Sequence, residues 1–123
     1  MTIAAIALGG ALGSVLRYLL ASAVQGVTGR QFPLGTLSVN VLGFLLIGFV
    51  YVWMLERTAA SVPVRAFWMI GVLGGFTTFS SFSLETLNLI VEAAYGRALA
   101  NAVLSVVLCL CATWLGVLVG RQL

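Results

Sequence analysis

The chain has 123 residues, of which 62% are hydrophobic and only 7% charged, and its formal net charge is +3. Soluble domains carry about a quarter charged residues, so this composition excludes a soluble globular domain and indicates an integral membrane protein. The absence of histidine, aspartate and lysine excludes serine–histidine hydrolysis, paired-aspartate chemistry and a phosphate-binding loop, so we expect no enzymatic activity.

The first predicted helix runs from about Ile3 to Val24. No basic n-region or small-residue cleavage pattern precedes a polar mature domain, which favours a retained helix over a signal peptide. Gly9 and Gly13 form a small-xxx-small pair of the kind that permits close helix packing. Arg17 lies near the end of this helix, where its side chain is expected either to snorkel to the interface or to face a vestibule.

The second predicted helix begins after Pro33 and continues to about Leu55, and it contains Asn40. An amide in hydrocarbon must be hydrogen-bonded, since an unpaired polar group there is costly. The amide of Asn40 can donate to a neighbouring helix or to an anion. Both interpretations stay open at the level of the sequence.

The third predicted helix runs from about Ala66 to Ala94, which exceeds the roughly 20 residues of one straight span. We expect it to be broken near residues 75–78. The segment around the break reads Gly74-Gly75-Phe76-Thr77-Thr78-Phe79-Ser80-Ser81-Phe82-Ser83. Backbone groups freed at membrane depth need partners in a protein interior or a water-filled cavity, and ion sites are built at such breaks.

The residues after the break predict a polar passage lined by aromatic rings. Phe79 and Phe82 are three residues apart and therefore share one face of the helix that resumes. Ser80 and Ser81 add hydroxyl donors for an anion path. Glu85 follows about two turns beyond the break, within reach of an aqueous vestibule, and a direct role in transport stays open for it.

The fourth predicted helix runs from about Ala98 to Val119 and carries a polar stripe. The stripe consists of Asn101, Ser105, Cys109 and Thr113. Residues four apart return to nearly the same helix face, so the stripe can line a path. Back-bonding of hydroxyls within their own helix is the alternative. Cys109 and Cys111 face different directions on one helix and cannot bridge each other.

The arginines predict no fixed orientation in the membrane. With four spans, Arg57, Arg65 and Arg121 lie on one side, whereas Arg30 and Arg97 lie on the other. Three against two is a weak excess for the positive-inside rule. We therefore expect insertion in both orientations and an antiparallel dimer, with a single fixed orientation as the alternative.

Three motifs in order resemble the Fluc (CrcB) fluoride channels over the whole chain. They are Gly10-Ala11-Leu12-Gly13-Ser14-Val15-Leu16-Arg17-Tyr18, Gly35-Thr36-Leu37-Ser38-Val39-Asn40-Val41-Leu42-Gly43 and the segment Gly74 to Phe82. The resemblance implies an antiparallel dual-topology homodimer of four-helix chains in the cell inner membrane. It further implies two parallel pores that export fluoride from the cytoplasm, and a structural sodium ion at the dimer centre.

The family's functional positions map onto this chain residue by residue. The resemblance implies that the carbonyl groups of Gly74 and Thr77 bind sodium. It assigns the fluoride path to Phe79, Phe82, Asn40 and the polar stripe of the fourth helix. Two positions depart from the family pattern: Asn101 stands where an aromatic hydroxyl can occur, and Cys109 stands where serine can occur.

Two other membrane classes fit the length of the chain. A small dual-topology multidrug or cation exporter also has four spans, but a proton-coupled exporter of that kind needs a carboxylate in its first helix, and the first helix here has none. An accessory membrane subunit predicts polar residues without a common face, which the stripe on the fourth helix contradicts. The sequence together with this resemblance therefore predicts a single transmembrane domain over residues 1–123 that conducts fluoride.

Overall fold

The computed structural model describes all residues, 1–123, and every regular element in it is helical. The elements are α1 (Thr2–Thr28), α2 (Leu34–Arg57), α3 (residues 62–76), α4 (Phe79–Val91) and α5 (Tyr95–Gln122). The last turns of α2, Val52–Arg57, and the middle of α3, Ala66–Leu73, have π-helical hydrogen bonding. Together α3 and α4 form one span, Val62–Val91, so four helical stretches are long and apolar enough to cross a membrane. The predicted all-α architecture with four spans is confirmed.

The predicted helix ends were less accurate than the helices themselves. The third span begins at Val62 because Pro63 lies in its first turn, where a missing N–H is tolerated, and not at Ala66. The last helix begins at Tyr95 and already contains Arg97, so this arginine does not precede the helix as predicted. Polar residues mark the membrane surface, but they do not by themselves end a helix.

The break in the third span lies at Thr77 and Thr78, as predicted. Thr77 has φ −78° and ψ 153°, and Thr78 has φ −148° and ψ 119°, so both residues are extended. The Thr78 hydroxyl accepts a hydrogen bond from Ser81 N at 3.1 Å and caps α4. The break therefore ends one helix and starts the next within two residues.

Glycines bring two pairs of helices into backbone contact. Between α1 and α3, a Cβ on Gly75 would lie 2.8 Å from Gly10 O, and one on Gly71 would lie 2.9 Å from Gly9 Cα. Between α2 and α5, Gly48 and Gly116 each lie against the backbone of the opposite helix. These small residues thus pack the helices of one chain against each other. Packing within a chain is also the most common role of a small-xxx-small pair.

Polar contacts at the two ends of the bundle agree with the predicted distribution of arginines. Arg121 forms an ion pair with Glu56 at 3.0 Å, and Arg57 Nη2 donates to Arg121 O at 2.7 Å, so these residues share one end. At the opposite end Arg97 Nη1 donates to Gln31 O at 2.7 Å. Arg57 and Arg97 therefore lie at opposite ends of the helical bundle.

Candidate functional site

Asn40 on α2 holds the break of the third span. Its Nδ2 donates to Thr78 O at 2.9 Å, and its Oδ1 accepts from Thr78 N at 2.7 Å. Asn40 is only 6% exposed, so the amide satisfies both backbone groups of an extended residue away from water. Because an amide nitrogen carries two hydrogens, one N–H remains free for a further acceptor. Interhelical bonding is therefore observed for Asn40, and its geometry leaves room for an anion as well.

Two carbonyl groups at the break lose their helical donors. In a continuous helix Gly74 O would accept from Thr78 N, but this N–H donates to Asn40 Oδ1. In the same way Thr77 O would accept from Ser81 N, which donates to Thr78 Oγ1. The carbonyls of Gly74 and Thr77 are thus free of the bonds that a helix would give them. Carbonyl oxygens of this kind are suitable ligands for a hard cation.

A cleft of about 330 Å³ opens beside the break between α2, α4 and α5, and we call it the aromatic cleft. Its lining residues are Asn40, Phe44, Thr77, Thr78, Phe79, Phe82, Ser105, Val106, Cys109 and Leu110. None of these side chains carries a formal charge. The structure therefore brings the helix-two amide, both phenylalanines and part of the helix-four stripe to one place.

Phe79 and Phe82 lie next to each other on the wall of the aromatic cleft. Their ring centroids are 5.3 Å apart, with the ring planes at 47°. Phe79 is 77% exposed in the single chain, whereas Phe82 is half-buried. The edge of an aromatic ring carries the positive part of its quadrupole, so these rings can contact an anion without binding it as a full charge would.

The polar stripe on α5 divides into a middle pair and two ends. Ser105 and Cys109 border the aromatic cleft, and both are buried, at 8% and 7% exposed. At one end Asn101 Nδ2 donates to Thr86 Oγ1 at 2.9 Å, and at the other Thr113 Oγ1 donates to Cys109 O at 3.0 Å. The common face of the stripe is confirmed, and only its middle pair reaches the aromatic cleft.

A second cleft of about 290 Å³ lies on the α1 side of the break, and we call it the inner vestibule. Its lining residues are Ser14, Arg17, Tyr18, Ala21, Ser22, Thr36, Thr78, Ser81 and Glu85. Glu85 Oε1 accepts from Thr36 Oγ1 at 2.7 Å, while its Oε2 is buried without a partner. Arg17 and Glu85 thus line the same cleft. Ser81 lies here too, and Ser80 is exposed with its Oγ 3.1 Å from Thr78 Oγ1.

A third cleft of about 370 Å³, the outer vestibule, continues toward the end of α4. It is lined by Gln25, Arg30, Pro33, Glu85, Asn88, Leu89 and Glu92. Glu85 borders both vestibules, and Thr78 borders both the inner vestibule and the aromatic cleft. The three clefts therefore succeed one another along the bundle through these two shared residues.

Thr36 and Thr78 are site residues that the sequence analysis did not single out. A signal for Thr36 was present, because it precedes Asn40 by four residues and so shares its side of α2. Thr78 was included only as a part of the break. Its role as the joint between two clefts depends on its extended backbone, which residue type alone does not indicate.

Comparison with known proteins gives one family and many similar full-length chains. The family described as "CrcB-like protein, Camphor Resistance (CrcB)" matches residues 4–117. A protein of Coxiella burnetii (strain Dugway 5J108-111) named "Fluoride-specific ion channel FluC" is 48% identical over 124 residues, which is 100% of both chains. Proteins with the same name from Geobacter sulfurreducens and Opitutus terrae are 50% and 55% identical over 122 and 113 residues. These alignments cover 99% and 90% of this chain, and 98% and 86% of the relatives.

Proposed function

Because the chain belongs to the CrcB-like family, we propose that it is a fluoride-selective passive channel that exports fluoride from the cytoplasm. The relatives named above are ion channels and not enzymes, in agreement with the expectation from composition. The observation that carries the proposal is the aromatic cleft. It places the Asn40 amide, a hydroxyl, a thiol and two phenylalanine rings around one uncharged space beside a helix break.

The chemistry of the aromatic cleft suits a small anion. Fluoride is strongly hydrated, so its transfer into the membrane requires closely placed donors that offset the lost hydration. The free N–H of Asn40, the Ser105 hydroxyl and the edges of Phe79 and Phe82 supply such contacts. Each contact is weaker than a full positive charge, which allows the ion to leave again.

The two vestibules extend this path toward the membrane surface. Arg17 brings a positively charged group that can contact an anion to the inner vestibule, which the Glu85 carboxyl group also lines. Ser80 and Ser81 provide hydroxyls on the way to the break. Glu85 is fixed by Thr36 and stands between the two vestibules. Asn101 and Thr113 flank the path on α5. Asn101 donates to the Thr86 hydroxyl, and this hydroxyl donates in turn to Phe82 O at 2.8 Å.

An antiparallel homodimer in the cell inner membrane completes the proposal. The aromatic cleft is open on one side of the single chain, and Phe79, one of its lining residues, is 77% exposed. A second copy inserted in the opposite orientation would close this side and give two parallel pores. The nearly balanced arginines support insertion in both orientations.

A structural sodium ion on the dimer axis fits the free carbonyl oxygens at the break. The carbonyls of Gly74 and Thr77 have lost their helical donors, and oxygen ligands of this kind suit a hard monovalent cation. Two copies of the chain would offer four such carbonyls. The ion would neutralise the partial negative charges of these oxygens and hold the two broken spans together.

Fluoride efflux from liposomes that contain only this protein tests the function. Fluoride should leave down its gradient, without a proton gradient, and at a rate far above that of chloride under the same conditions. A proton-coupled exporter would instead show efflux that stops when the proton gradient is collapsed. Absence of passive fluoride efflux from correctly assembled protein would contradict the proposal.

A further inference from the structure

Cys109 is the least expected residue of the aromatic cleft. Only 7% of this residue is exposed, yet its side chain borders the cleft and forms no hydrogen bond. The second cysteine, Cys111, is exposed on the outer surface of the same helix. The chain therefore carries one thiol beside the aromatic cleft and one on its exposed surface.

Ser105 gives a second, independent indication of a ligand at this place. It lies one helical turn before Cys109, is only 8% exposed and borders the same cleft. Its hydroxyl makes no hydrogen bond, whereas Thr113 on the same helix bonds back to Cys109 O. Polar groups normally find a hydrogen-bond partner, so this hydroxyl, which is unpaired within the chain and borders the cleft, is available to a ligand or to solvent there.

We propose that Cys109 is a modification site for soft, thiophilic metal ions, and that its modification blocks the fluoride path. This inference rests on the proposed channel function. Thiolate sulfur prefers soft metals, whereas hydroxyl and amide groups do not. A monovalent soft cation such as Ag⁺ forms a sulfur–metal bond at Cys109, and the thiol proton passes to water, so no oxidant or reductant is needed.

The block follows from where the metal would sit. Cys109 faces the same space as Asn40 and the two phenylalanine rings. A bound silver ion fills part of this space and thus obstructs the cleft. Because the thiol loses its proton when the bond forms, the adduct adds no net charge, and the block is steric. Modification of Cys111 has no such effect, because this residue is exposed and does not border the cleft.

The experiment uses the full-length protein in liposomes in a chloride-free nitrate medium, with Ag⁺ as the probe. Fluoride efflux is measured before and after silver, and each variant is compared with its own untreated rate. The wild type and Cys111→Ser should lose most of their efflux, and an added small thiol should restore it. Cys109→Ser should keep its own untreated rate in silver. Because the three methionine thioethers also bind soft metals, native mass spectrometry of Cys111→Ser is compared with the double variant Cys109→Ser/Cys111→Ser, and the single variant should show one more bound silver ion per chain.

Two results would overturn the inference. One is silver inhibition of Cys109→Ser equal to that of the wild type. The other is a silver adduct on Cys109 in Cys111→Ser without loss of efflux. If Cys109→Ser does not assemble, Cys109→Ala takes its place, and the adduct measurement on Cys111→Ser decides the question. A wild type without any untreated efflux contradicts the channel function instead, and the adduct still reports whether the thiol is accessible.

Discussion

The two halves of the third span differ in what they pack against. In α3 every buried residue is apolar or glycine, and its backbone lies directly against α1. In α4 only Leu89 is buried, and aromatic, hydroxyl and carboxylate side chains border the clefts. One span therefore combines a packing half with a half that borders the clefts, and Asn40 fixes the joint between them.

Removal of the Asn40 amide should have the largest effect on stability and on fluoride efflux. Asn40→Leu leaves the N–H and C=O of Thr78 buried without partners, which costs about 1–3 kcal/mol for each group. We expect a lower thermal stability and an almost complete loss of fluoride efflux, since the break and an anion contact are lost together. Thermal unfolding in detergent and liposome efflux measure the two effects.

Ser38→Ala serves as the control for Asn40→Leu, because Ser38 lies two residues away on the same helix and is only half-buried. It should resemble the wild type in both measurements. Asn40→Leu with normal stability and normal efflux would show that the joint is not needed by either half of the span.

A side chain in the packing half should act through assembly. Gly75→Val places a Cβ 2.8 Å from Gly10 O, a backbone atom that cannot rotate away. Overpacking of this kind costs about 1–3 kcal/mol, so we expect less folded dimer and a correspondingly lower efflux. Size-exclusion profiles and thermal stability report this effect.

Gly96→Val is the matched control for Gly75→Val, since a Cβ on Gly96 meets nothing within 4 Å. It should yield a normal profile. Efflux and assembly that stay unchanged in Gly75→Val would contradict the close packing of α3 on α1.

Substitutions of the rings should act on efflux and not on assembly. Phe82→Ile keeps apolar bulk but removes the ring edge. With the energy of an aromatic pair, about 0.5–1.5 kcal/mol, as the scale for one edge contact, efflux should fall about two- to tenfold. Phe79→Ile should behave in the same way. Efflux and the size-exclusion profile are measured on one preparation. Normal efflux in both variants would remove the rings from the path, and loss of dimer before loss of efflux would indicate a packing role.

The smallest changes in efflux are expected in the α5 stripe, where its middle and its end should respond differently. Thr113→Val removes a hydroxyl that bonds within its own helix, so stability should change by no more than about 0.5 kcal/mol and efflux should stay near the wild-type rate. Ser105→Ala removes a hydroxyl that faces the aromatic cleft and should lower efflux severalfold. Efflux that falls more in Thr113→Val than in Ser105→Ala would reverse the division of the stripe.

Much of the fold followed from local patterns in the sequence. Hydrophobic stretches of sufficient length predicted four spans, and glycines with hydroxyl residues inside one of them predicted a break near residues 75–78. The structure places this break at Thr77 and Thr78. The four-residue spacing on α5 predicted a common face, and Asn101, Ser105 and Cys109 are indeed buried on it. These features depend on residues close together in the chain, so the sequence is sufficient to predict them.

Only the tertiary structure decided which partner each polar group has. Whether Asn40 bonds to the backbone of Thr78, or Glu85 to Thr36, depends on the depth and rotation of one helix against another. The same variables decide that Ser105 and Cys109 reach the aromatic cleft while Thr113 bonds within its own helix. Helix periodicity gives the direction of a side chain around its own axis only. The position of the neighbouring axis is set by backbone contacts such as those of Gly48 and Gly116, which form only when the helices pack.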